Sequence, residues 1–150
     1  MILLTPELRA GLRAQFDSEA TDKRPLVKLF NPLSAATWLA SELAEDGDTL
    51  FGLADLGFGC PELGYFSLRE IESLRLPFGL RIERDLLFAT NVSLSDWAAW
   101  ARKAGSILWA EQLPGSGDAQ HRGNAAEGEA LLRRASDTVS DLTDRFPPSG

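Results

Sequence analysis

The stretch that most constrains this chain runs from Asp46 to Leu68. Two apolar runs, Leu50–Leu56 and Leu63–Phe66, flank the turn-rich segment Gly57-Phe58-Gly59-Cys60-Pro61-Glu62. Short apolar runs bounded by glycine and proline read as strands joined by a hairpin. In the first run Phe51, Leu53 and Asp55 alternate with Leu50, Gly52, Ala54 and Leu56. Apart from Asp55 both faces are apolar, so this strand belongs in the middle of a sheet covered on both sides. A carboxylate there needs a partner, because an isolated buried charge costs several kcal/mol. Arg84, on the apolar side of a later alternating segment, is the expected partner in a structural ion pair.

The flanking segments add helices and further strands. Thr5-Pro6-Glu7 opens a helix with a cap, a proline at its first position and an acid at its positive end. Residues 25–30 read as a strand closed by Asn31-Pro32. Ser34 then caps an expected helix whose inward face is Ala35, Trp38, Leu39 and Leu43, ended by the acidic turn Glu45-Asp46-Gly47-Asp48. Ser67-Leu68-Arg69-Glu70 is a capping box and starts the next helix. Residues 80–88 alternate like a strand with one solvent face. Ser93 to Asp96 opens a further helix that Gly105 closes, with Trp97 inward and Trp100 off the stripe as a candidate contact residue. The expected fold is therefore α+β: a small, three- to four-stranded, mostly antiparallel sheet with helices packed on it. The domain core spans 1–111, a linker 112–128, and a C-terminal helix 129–146 in which Leu132, Ala135, Val139, Leu142 and Phe146 share a face.

Charge narrows the function classes. The chain carries 22 acidic and 15 basic residues, a net charge of −7. That opposes a general grip on nucleic-acid phosphates. From residue 29 to residue 68 there is no basic residue, while Glu42, Glu45, Asp46, Asp48, Asp55 and Glu62 all fall inside. No run is long and apolar enough for a membrane span, and the N-terminus lacks a signal peptide's pattern, so the expected location is cytoplasmic. One cysteine (Cys60) and one histidine (His121), 61 residues apart, do not make a zinc site, and no cofactor or metal is expected. Gly57 to Glu62 lacks the Lys-Ser/Thr of a phosphate-binding loop, so its glycines are turn residues.

Residues 27–32 (Val-Lys-Leu-Phe-Asn-Pro), 36–39 (Ala-Thr-Trp-Leu), 51–64 (Phe-Gly-Leu-Ala-Asp-Leu-Gly-Phe-Gly-Cys-Pro-Glu-Leu-Gly), 66–72 (Phe-Ser-Leu-Arg-Glu-Ile-Glu) and 79–86 (Gly-Leu-Arg-Ile-Glu-Arg-Asp-Leu) carry a resemblance to a known family. Together they resemble a bacterial family filed under domains of unknown function and numbered 2958. Its members look like cargo of conjugative plasmids and other mobile elements, and similar modules accompany antirestriction proteins. The resemblance implies no catalytic residue.

Two functional expectations follow. The first is a non-catalytic, acidic binding protein of a mobile element that occupies a basic surface on a host or element protein, as anti-defence inhibitors and DNA mimics do. Glu42, Glu45, Asp46, Asp48, Glu62 and Trp100 are its candidate binding residues. The second is a small enzyme using Asp55 with Glu62 or Asp85 as acid/base or magnesium-binding carboxylates. A homodimer is compatible with either.

Overall fold

The structure is a computed structural model that describes residues 2–112. Residues 113–128 of the expected linker, the expected C-terminal helix and His121 lie outside the described residues. The described chain forms five strands and four helices in the order α1 (Pro6–Asp17), β1 (Val27–Phe30), β2 (Thr37–Leu43), β3 (Thr49–Asp55), β4 (Glu62–Ser67), α2 (Leu68–Ser73), β5 (Glu83–Arg84), α3 (Leu94–Ala104) and α4 (Ile107–Glu111). The strands make one antiparallel sheet in the order β4-β3-β2-β1-β5. The fold class is α+β, with one strand more than the sequence reading allowed.

The extra strand is β2, where a helix was expected. Its apolar residues fall at helix-like spacing for a reason specific to strands. The β2–β3 register slips between Ala40 and Glu42, which leaves Ser41 as a bulge residue. Trp38, Ala40 and Leu43 accordingly reach one face, and Leu39 the other. An inserted residue turns a spacing of two into a spacing of three. With both faces covered, the result mimics a helical stripe.

The sheet separates two apolar clusters. On one face Val27, Leu29, Trp38, Ala40, Leu43 and Leu50 pack with Leu12 of α1 and with Leu68 and Ile71 of α2. On the other, Leu39 and Leu53 pack with Leu94, Trp97, Ala98 and Ala101 of α3 and with Ile107 and Ala110 of α4. β3 is an interior strand between β4 and β2, as its two apolar faces require, and Asp55 is fully buried on it.

The helix starts match their local signals. Thr5 Oγ1 accepts from the Leu8 N–H, Ser67 Oγ from that of Glu70, and Ser93 Oγ from that of Asp96. Gly105 closes α3 at φ 88°. Gly57 and Gly59 take positive φ in the hairpin turn, the conformation that favours glycine. Residues 80–88 behave differently from expectation: only Glu83 and Arg84 pair, with Phe30 and Leu29. This edge offers a single ladder, and the chain is turned away at both ends. Phe78 and Gly79 hold φ of 63° and 72° on one side, and on the other the Asp85 carboxylate accepts from the Leu87 N–H at 2.9 Å.

Candidate functional site

The carboxylates singled out by the sequence fall into three environments. The first is the β2–β3 turn. Asp46 accepts from the N–H groups of Asp48 (2.9 Å) and Thr49 (2.8 Å) and from the Thr49 hydroxyl (2.6 Å). The Thr49 hydroxyl and the Thr49 and Asp48 N–H groups all favour the anion, and Arg69 adds attraction, so this carboxyl is held down at about 2. Asp48 reaches across to the start of α2. It accepts from the Ser67 hydroxyl (2.9 Å) and from the Arg69 N–H (2.8 Å), while its carbonyl accepts from the Leu68 N–H. Asp48 thus ties the turn to a helix N-terminus, where a negative charge is favoured. Arg9 donates to the Gly47 carbonyl at 3.0 Å. Glu45 and Asp46 stay exposed on this braced turn.

The second environment is internal. Asp55 does not meet Arg84: the two lie on β3 and β5, with β2 and β1 between them. Its carboxylate accepts instead from the Gly57 N–H (2.9 Å) and from the Ile107 N–H at the start of α4 (2.9 Å). Arg84 donates to the carbonyls of Ile2 and Leu3, which ties down the N-terminal segment. The expected ion pair is therefore replaced by two backbone anchors. Hydrogen bonds to N–H donors satisfy a buried carboxylate without a countercharge.

The third environment is ion-paired. Glu42 points to Lys23 and forms a largely shielded pair with it, so it is neutralised within the chain. Asp85 and Glu111 both approach the buried Lys28 ammonium, at 3.5 Å and 2.8 Å. Asp55, Glu62 and Asp85 are thus held in different places: Asp85 on the β1 side with Lys28, Asp55 in the interior, and Glu62 exposed at the start of the edge strand β4. Among the described residues, no three acidic, histidine or cysteine side chains converge as a metal site would require.

The acidic residues do not form one continuous patch. Glu62 pairs opposite Ala54 and Ser67 opposite Thr49, so Glu62 and the Asp46 turn lie at opposite ends of β3. Five strand steps separate those ends by about 17 Å. Trp100 is half-buried, edge-to-face with the fully buried Trp97 at 5.9 Å, and contributes mainly to packing.

One feature had no sequence signal. A groove of about 470 Å³ opens between residues 20–23, the bulged part of β2, Phe51, Leu63 and the start of α3. The Lys23–Glu42 pair forms part of one wall. In another, the Asp22 carboxylate accepts from the Ser95 hydroxyl and N–H. Partial burial works against the Asp22 anion, but the hydrogen bonds from Ser95 and Ser93 outweigh it, and its carboxyl lies below the usual range. Beyond the groove Tyr65 lies against Phe51, ring centroids 5.1 Å apart, and is largely exposed. Asp22 sits in a polar loop that carries no periodicity, which is why only the folded chain brings it to Ser95.

No helix among the described residues is long and apolar enough to cross a membrane. No curated protein and no solved structure matches the chain significantly. One family profile does match, described as protein of unknown function (DUF2958), over residues 3–108. That span covers every strand and α1 to α3, and it reaches into α4. The chain belongs to the DUF2958 family.

Proposed function

We propose that this protein is a non-catalytic, acidic binding protein that docks on a basic surface of a host or element protein in the cytoplasm. The observation that carries the reading is the braced acidic turn. Glu45 and Asp46 are exposed, and Asp46 is ionised throughout the physiological range. The turn is held by side-chain bonds to the backbone on both sides, so little ordering entropy is lost when a cationic partner binds. The presented surface is smaller than the sequence suggested, since Glu42 is paired internally and Glu62 lies at the far end of β3. The family resemblance supports a setting on plasmids and other mobile elements, and there an anti-defence role, as an antirestriction or anti-CRISPR inhibitor or a DNA mimic.

The test is affinity capture from host lysate at low and high salt, with Glu45→Gln/Asp46→Asn as the paired variant. Asparagine at 46 keeps one oxygen for the Asp48 and Thr49 N–H groups, removes the charge, and faces the Thr49 hydroxyl with an NH2 donor in place of the second oxygen. A partner lost at high salt and weakened about tenfold by the paired variant supports the reading, because exposed charges act over a screened range. Glu62→Gln, at the other end of the strand, should change little. A partner indifferent to both salt and the paired variant would refute it.

A further inference from the structure

A second surface sits where the described chain ends. Leu86 and Leu87 are 69% and 93% exposed, and Trp109 is 61% exposed. Lys28 brings their segments together, because its ammonium holds Asp85, next to Leu86, and Glu111, two residues after Trp109. α4 turns Ile107 and Ala110 into the core, so Leu108 and Trp109 face outward. Large exposed apolar side chains on two segments that one ammonium holds together mark a surface that another element covers.

We infer that this surface is the seat of the chain's own residues 129–146. Gln112 immediately follows α4, so the segment leaves the described core beside Trp109. The 16 intervening residues, 113–128, are rich in glycine and small polar side chains. For glycine- and serine-rich sequence, 16 residues correspond to a root-mean-square reach of about 22 Å, enough to return onto the patch. The segment's sequence is amphipathic: Leu132, Ala135, Val139, Leu142 and Phe146 line one side of a helical projection, and Asp137, Asp141 and Asp144 the other. A helix of 18 residues with one apolar face is marginal alone in water and gains its stability by burying that face. The tether holds it at an effective concentration of about a millimolar, which favours the chain's own patch over a second copy at micromolar protein. The segment lies beyond the family profile, which ends at residue 108. It is thus an addition that shields a face of the shared core, independent of the acidic turn.

The experiment is hydrogen–deuterium exchange of the intact chain over about a hundredfold range of concentration. It is repeated with Val139→Asp/Leu142→Asp and with Leu87→Asp. In the native chain, amides of 129–146 should exchange at least about tenfold more slowly than in the double variant. Leu87→Asp should abolish the same protection while peptides of β2 and β3 stay unchanged, which certifies the fold. Native amides of 129–146 exchanging at the rate of unstructured chain would overturn the inference. So would protection that survives Leu87→Asp, or protection that grows with concentration, which would assign the patch to a second copy.

Discussion

Asp46 illustrates how a single side chain can be exposed and still confined. Its carboxylate receives the Thr49 hydroxyl and two N–H groups, and its pKa falls from the ordinary 3.8 to about 2. A carboxyl depressed in the folded state contributes stability that is fully present above its unfolded value and lost as pH falls through the folded one. Its contribution should therefore be constant above about pH 5 and disappear between about pH 4 and pH 2. Asp46→Asn should remove that part of the acid dependence. Thermal midpoints from pH 2 to pH 7 check this: the gap between native and variant should close at the acid end. The hydrogen bonds that would make this turn a good docking surface also make it acid-sensitive.

At the scale of elements, the bulge in β2 decides the most. Gly52 lies opposite Ala40, next to the register slip, and a Cβ there would sit 1.8 Å from the Leu39 carbonyl oxygen and 2.9 Å from the Ala40 Cα. Both obstacles are backbone, so neither can rotate away. Gly52→Ala should cost about 3 kcal/mol, the upper end of overpacking, seen as a lower urea midpoint with an unchanged slope. Gly64, also on a strand, has open space around its missing Cβ, and Gly64→Ala should be nearly neutral. The contrast explains why β2 resisted reading. Its alternation is broken by one residue, and nothing in residues 37–43 themselves announces the glycine on the neighbouring strand that makes room for it. The hairpin of β3 and β4 was legible, because its apolar runs and turn glycines are contiguous. Over residues 80–88 the alternation runs past the two residues that pair, because this edge has one partner and the chain turns away at both ends.

Across the whole molecule, α4 is held to the sheet at two points. Asp55 of β3 accepts its first N–H, and Lys28 of β1 grips Glu111 near its end while also holding Asp85 beyond β5. Lys28 is buried to 7% exposure, and its ammonium also lies 5.9 Å from the Phe30 ring centroid. Replacing it with methionine would remove the ammonium that both carboxylates approach. Lys28→Met should destabilise by about 3 kcal/mol, the range for breaking a buried pair. Adding Asp85→Asn and Glu111→Gln should recover much of that loss. Chemical denaturation of the three proteins checks both statements, and a triple variant as weak as the single one would contradict the electrostatic account.

What the sequence determined by itself is local. Helix caps, turn glycines and the two-faced strand at 49–55 follow from groups a few residues apart, and so does the need for Asp55 to find partners. Who those partners are was decided by tertiary structure. Two intervening strands keep Arg84 away from Asp55, while the end of β3 meets the start of α4. The acidic window was equally plain as composition. Whether each carboxylate is presented, buried or paired depended on the fold, because it brings Lys23 to Glu42 and Ser67 to Asp48 across 19 residues. Charge count is a property of the chain, whereas the surroundings that desolvate or neutralise a charge exist only once distant segments are packed.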